Sequence, residues 1–391
     1  MASDGSIGWR TAVLSYGFRP FFLAGAIQAA LAIVVWLLVF FGDLQIPTGF
    51  SPLDWHVHEM LFGYLPAIIA GFLLTAIPNW TGRPPIRGLP LAVLVLVWLS
   101  GRVAVFLSQP LGPVLTGGID CLFLVLVAAA AAREVILSGN WKNLPPVGLL
   151  AILAVANAIF HIEDDRFGVS EFGKRSGIAT AILLVALIGG RVIPAFTRNW
   201  LIREKPGRLP APFGRFDAGV LAVSALTLAL WIVLPDQPVT AWLLLLAGAG
   251  QAVRLARWCG GRTLRSPLTL VLHVGYAFVP AGFVLLAAAV LFPADVPVSA
   301  GIHAWTAGAI GVMTLAMMTR VSLGHTGRAL SAGFVTCVIY VCAAAAALVR
   351  IWAVAAPEWT TVLLLTAGGA WVMAFLLFAF EYGPLLVLPK D

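Results

Sequence analysis

Charge is what this sequence has least of. Asp, Glu, Lys and Arg make up 10% of its 391 residues, where a soluble domain carries about a quarter, so no ordinary water-facing surface can be built from it. Cysteine is scarce too. Cys121, Cys259, Cys337 and Cys342 lie in or beside apolar stretches without a CxxC spacing, which argues against a disulfide framework or a zinc knuckle. No P-loop, dinucleotide fingerprint or HExxH occurs, so nucleotide-driven transport and zincin chemistry have no support. The surplus of 7 positive charges is scattered through joints rather than gathered in a stripe, and nucleic acid is not an expected partner. No small-residue cleavage site breaks the first apolar run behind Arg10 and Arg19, so that run is expected to be retained as a helix.

What is present in excess is apolar surface. At 61% of 391 residues it is enough for about twelve crossings of about 20 residues each. Cutting at Pro, Gly and charge clusters gives segments 18–41, 57–77, 89–108, 112–133, 145–163, 176–198, 216–234, 239–258, 267–291, 300–320, 330–352 and 359–382. The expectation is an all-α polytopic membrane bundle of about twelve helices, with residues 1–391 forming one integral membrane domain and no soluble domain. Joints such as Ser108 to Pro113 and Pro235 to Pro238 are short enough to make consecutive helices antiparallel neighbours. Of the 24 Lys and Arg, 18 fall on the side holding both termini, 4 on the other, and Arg102 and Arg191 inside helices, which predicts cytoplasmic N- and C-termini.

Three helix exits, Ile77 to Arg83, Ile193 to Asn199 and Met318 to Arg328, read alike at intervals of about 120 residues. They mark either three four-helix units around a pseudo-threefold axis or only the shared demands of an exit rich in Arg and Pro.

Because imidazole and charge are expensive in hydrocarbon, those inside a span are candidate functional groups. His56, His58, His161 and His303 belong to the outer end of the bundle by segment parity, and His273 and His325 to the cytoplasmic end; all six are candidate metal ligands, against a bland reading as interfacial residues. His56 and His58 differ in direction by about 200° on a helix, so they face different partners. Glu59 is a candidate proton donor or supporting partner, and Asp120 a candidate for proton transfer. Arg102 and Asp120 fall at similar depth across a hairpin and are expected to pair, with Arg102 alternatively holding a haem propionate. Gly63, Ala67 and Gly71 below His58, and Ala304, Gly308 and Gly311 below His303, make small-residue stripes. Such stripes serve either close helix packing or an apolar slot for a macrocycle with His58 and His303 as cofactor-binding residues. The patch Glu163-Asp164-Asp165 is a solvated loop or a cation-attracting surface. Met313, Met317 and Met318 fit packing better than copper ligation.

The runs Trp55 to Gly63, Ala70 to Arg83 and Leu315 to Arg328, with Leu272 to Tyr276 and Arg191 to Asn199, closely resemble the NnrS family over essentially the whole chain. The resemblance implies a polytopic membrane protein containing haem, of b type, and copper, linked to nitric oxide metabolism and nitrosative stress in denitrifying and related bacteria, and hence the bacterial inner membrane. In outline the chain is also similar to the catalytic subunit of haem-copper oxidases and nitric oxide reductases, but its sixth and seventh segments contain no histidine. The expected function is reductive removal of nitric oxide at a haem–metal site in the outer half of the membrane, with electrons from quinol or a periplasmic donor and lipid as the surrounding medium. The alternative is a nitric oxide sensor or a copper or haem carrier without turnover.

Overall fold

A computed structural model describes residues 12–204 and 206–389. Among these residues the chain is helical without strands, and twelve helices are long and apolar enough to cross a membrane: α1 Phe18–Phe40, α2 Pro52–Thr81, α3 Leu89–Phe106, α4 Pro113–Leu137, α5 Trp141–Phe167, α6 Phe172–Leu201, α7 Arg215–Val233, α8 Pro238–Arg262, α9 Pro267–Leu291, α10 Val298–His325, α11 Phe334–Ala355 and α12 Pro357–Val387. The chain is a multi-pass membrane protein. Several helices outrun their apolar segments, among them α2 by starting at Pro52, α10 by ending at His325 and α12 by ending at Val387. In lipid every backbone group must be paired internally, so the helix continues through residues that bound the apolar segments.

Local signals set several of these ends. Ser51 accepts the amide of Asp54 at 3.1 Å and Pro52 follows it, a side-chain cap with proline in the first turn. Gly82, at φ 70°, closes α2 in the left-handed conformation that costs glycine least. Arg19, 6% exposed, donates to the carbonyls of Leu385, Leu386 and Leu388 at 3.3, 3.1 and 2.9 Å, so a cation sits at the negative end of α12.

Two helices change pitch. The backbone of α2 widens to π-helical pairing over Glu59–Tyr64, and that of α10 over Ala304–Val312; each wide stretch begins just after a histidine, His58 or His303. Wide turns are rare and concentrate at functional sites, and nothing in side-chain periodicity announces them.

The described residues form two compact units. The first holds the chain up to Ser170 with Met318–Leu330 and the segment from Phe375 on; the second holds Glu171–Met317 and Ser331–Ala374. The boundary thus falls after α5 and within α10 and α12; of the three similar helix exits, the third, from Met318, begins at it, while the first lies inside the first unit and the second inside the second. In the first unit, Gly71 lets Phe21 and Phe22 of α1 close onto α2: an added Cβ would stand 2.8 Å from Phe22 and 3.1 Å from Phe21. In the second, Gly308 is packed by Phe278 and Gly311 by Trp371. Gly71, Gly308 and Gly311 are thus filled by aromatic side chains and Gly63 by the Arg102 guanidinium, the close-packing use of small residues, and these glycines leave no macrocycle slot below His58 or His303.

Candidate metal centre

Three helices of the first unit bring their polar residues to one place. His58 lies about 9 Å along α2 from its start, Asp120 in α4 and His161 in α5. One ligand atom from each lies within 4.8 Å of the others, the one group of this kind among the described residues. His58 is fully buried, Asp120 2% and His161 8% exposed.

Glycine makes the room. A Cβ on Gly63 would overlap the guanidinium of Arg102, one on Gly101 would stand 3.0 Å from Asp120 Oδ1, and one on Gly117 would stand 3.3 Å from the His161 ring. The polar groups therefore replace side-chain volume on three adjoining helices. Phe50 seals the cluster from the loop before α2, its ring 5.4 Å from His58 and 5.5 Å from His161. That loop is fastened to the α3–α4 hairpin, where the Gly49 amide donates to Ser108 Oγ at 2.8 Å. Phe62 and Phe160 complete the apolar wall around His58 at 5.5 and 5.3 Å.

The hydrogen bonds define the donors. Asp120 Oδ2 receives His58 Nε2 at 3.1 Å, His161 Nε2 at 3.0 Å and Asn157 Nδ2 at 2.7 Å, while Arg102 pairs with Oδ1. His58 Nε2 also lies 3.1 Å from Asn157 Oδ1. Both neighbours of that nitrogen are acceptors, so it carries the proton and donates to them. The other nitrogen, Nδ1, has no hydrogen-bond partner and faces Glu59 Oε1 at 3.5 Å. A histidine that gives Nε2 to a metal ion needs its Nδ1–H taken up by a carboxylate or carbonyl, and Glu59 stands where that acceptor is needed.

Arg102 pairs with Glu59 as well as with Asp120, and Gln28 of α1 donates to the second Glu59 oxygen. With neutral histidines the buried cluster holds one positive and two negative charges, a net charge of −1. An uncompensated charge in a dry interior is costly, so the cluster favours added positive charge, which a metal ion between the histidines and Asp120 would supply. A tetrahedral site with ligand bonds of about 2.0–2.1 Å has edges of about 3.4 Å, and the 3.0 and 3.1 Å separations from the two histidines to Asp120 reach it by an outward shift of a few tenths of an ångström. A single metal ion fits these residues. A haem beside His58 does not: Gly63 is occupied by Arg102, Gly71 by the α1 phenylalanines, and the imidazole is enclosed by Phe50, Phe62 and Phe160.

The expected pairing of Arg102 with Asp120 is present. His56 faces away from His58 and stacks on Trp36, centroids 4.6 Å apart and planes 18° from parallel. Of the other expected ligands, His303 is in the second unit, its Nδ1–H donating to the Ser299 carbonyl at 2.7 Å. His273, in the same unit, shares a 2.9 Å hydrogen bond with Thr197, and His325, in the first, lies against Tyr16 and Phe18. None of these four is part of the convergent group. Asn157 was not foreseen, although it lies one turn before His161 on the same face of α5, a spacing that could have found it.

Residues 12–390 match the family model described as NnrS protein. The chain belongs to the NnrS family. Membership fits a membrane protein of nitric oxide metabolism, and family association with metal binding agrees with the geometry just described. Among curated proteins, none matches.

Proposed function

We propose that this NnrS family member removes nitric oxide reductively at a metal ion held by His58, Asp120 and His161 in the outer half of a bacterial inner membrane, with both termini cytoplasmic. The observation that carries this reading is the fully enclosed two-histidine, one-carboxylate group with a net negative charge. A bound ion would supply the place where nitric oxide binds and accepts electrons, whether from quinol or from a periplasmic donor.

The chain's own residues have distinct tasks. Phe50, Phe62 and Phe160 exclude water and leave an apolar surround that an uncharged gas dissolved in lipid can enter. Arg102 holds Asp120 and Glu59 in place while keeping their summed charge low. Reduction of nitric oxide to nitrous oxide and water consumes as many protons as electrons. Glu59, between His58 and Gln28, is the carboxylate positioned to hold a proton beside the ion.

Purified protein in liposomes, supplied with a reductant, is expected to consume nitric oxide at an electrode, and His161→Ala to stop it. Metal-dependent binding of nitric oxide without consumption would overturn turnover and favour the sensor or carrier reading.

A further inference from the structure

The donor set says more than that a metal ion fits. Its convergent atoms are two imidazole nitrogens and one carboxylate oxygen, with the Asn157 amide oxygen 3.1 Å from His58 Nε2. No sulfur joins them. Cys121 follows Asp120 in sequence but lies about 100° further round the helix, and it is not in the group.

Ligand type and geometry select among ions more than raw affinity does. Imidazole suits copper as well as iron, so the two histidines do not choose between them. The carboxylate and amide oxygens do, because cuprous ion, the reduced form of copper, prefers soft sulfur ligands and none is here. Zinc suits two histidines and a carboxylate but has no redox chemistry. Two histidines and one carboxylate with coordination positions left open are the set that holds non-haem iron(II). Carboxylate and imidazole serve the ferrous state without sulfur, and the ferrous state is the one that binds nitric oxide. The charge agrees too. A divalent cation turns the cluster from −1 to +1, against +2 if Glu59 were absent.

We infer that the ion at His58, Asp120 and His161 is non-haem iron(II), with Asn157 Oδ1 as an additional oxygen donor, rather than the copper that the resemblance implies. The inference rests on the proposed metal site and adds the identity of its occupant.

The test uses the full-length protein, purified anaerobically, with iron, copper and zinc measured by mass spectrometry, haem iron measured separately and subtracted, and EPR recorded after adding nitric oxide to the reduced sample. Wild type is expected to hold non-haem iron near one ion per chain and to give the half-integer-spin iron–nitrosyl signal. His161→Ala should lose iron by about tenfold or more together with that signal. His161→Gln, which keeps a donor for Asp120, serves if the alanine variant does not accumulate. Asn157→Leu, which leaves all three principal ligands, should reduce iron retention less and shift the signal. Copper lost in His161→Ala in place of iron would refute iron while the metal site stood, and zinc lost in the same way would refute both iron and redox turnover. Metal content of every kind unchanged in both His161 variants would remove the site itself. An Asn157→Leu signal identical to wild type would remove Asn157 from the donor set.

Discussion

Arg102 in the first compact unit and Arg254 in the second are both buried within membrane-crossing helices, and their surroundings differ in charge. Arg102 faces two carboxylates, Glu59 and Asp120. Arg254, fully buried, faces one, Asp217 at 3.1 Å, which Arg257 also approaches at 3.4 Å. Its remaining contacts are neutral: the Ala186 carbonyl at 2.9 Å and the Tyr276 hydroxyl at 3.0 Å. Tyr276 in turn donates to Gln251 at 2.6 Å, and Gln251 to Ser224 at 2.8 Å. The first cluster therefore has a net negative charge and histidines within reach, whereas the second has two positive groups around one carboxylate and no call for a cation. A buried arginine adjoins the candidate metal centre in one unit and ties helices α6, α7, α8 and α9 together in the other; the charge sum around it separates the two cases.

The largest expected effect comes from removing each guanidinium. Arg102→Met strands two buried carboxylates and should cost about 3–5 kcal/mol. Arg254→Met leaves Arg257 with Asp217, and strands mainly the Ala186 carbonyl and part of the Tyr276 bonding, about 1–3 kcal/mol. Denaturant unfolding in detergent micelles gives both numbers. Added ferrous ion should recover part of the loss in Arg102→Met and none in Arg254→Met, and equal losses with no response to cation would dissolve the comparison.

A smaller effect separates packing from binding. Gly63 abuts Arg102 as Gly190 abuts Arg254, each so closely that a Cβ would overlap the guanidinium. These are long side chains, but both are pinned by carboxylates and cannot swing aside without breaking their pairs. Gly63→Ala and Gly190→Ala should each cost about 1–3 kcal/mol, while metal retention falls in Gly63→Ala alone. Unfolding midpoints and metal content on the same preparations decide it; metal loss in both variants would mean that the second cluster also supports the site.

How far the sequence led depends on the kind of information each residue carries. Hydropathy located all twelve crossings because lipid demands long apolar runs, and the cost of a lone charge in hydrocarbon made Arg102 and Asp120 a foreseeable pair. Helical direction likewise placed His56 and His58 on different partners. The grouping of His58 with His303 was read from matching stripes of small residues, and such stripes look the same whether they admit a macrocycle or a phenylalanine; Phe22, Phe278 and Trp371 occupy them here. Asn157 and Gln28 went unnoticed because an uncharged amide in a span is cheap enough to have no default meaning. The Arg254 network was hidden by its place at a helix end, where an arginine reads as positive charge near the membrane surface. The wide turns of α2 and α10 are backbone hydrogen-bonding changes with no side-chain signature.

The smallest effect tests whether a change confined to the second unit leaves the metal centre alone. Cys259 has φ 59° and is the one non-glycine with positive φ among the described residues. For an L-residue the left-handed region costs about 1–2 kcal/mol, and its Sγ offers little in return, lying 4.0 Å from the Arg257 carbonyl. Glycine removes that strain but loses more chain entropy on folding, about 0.5–1 kcal/mol, so Cys259→Gly should stabilise by about 0.5–1 kcal/mol. The next residue behaves oppositely. A Cβ on Gly260 would stand 2.8 Å from Nδ1 of the buried His273, whose Nε2 is already held by Thr197, so Gly260→Ala should destabilise. Opposite signs at adjacent positions, read from unfolding midpoints with iron content unchanged in both, fit a turn whose role is structural and a metal centre confined to the first unit. A loss of iron in either variant would show that the histidine of the second unit supports the centre.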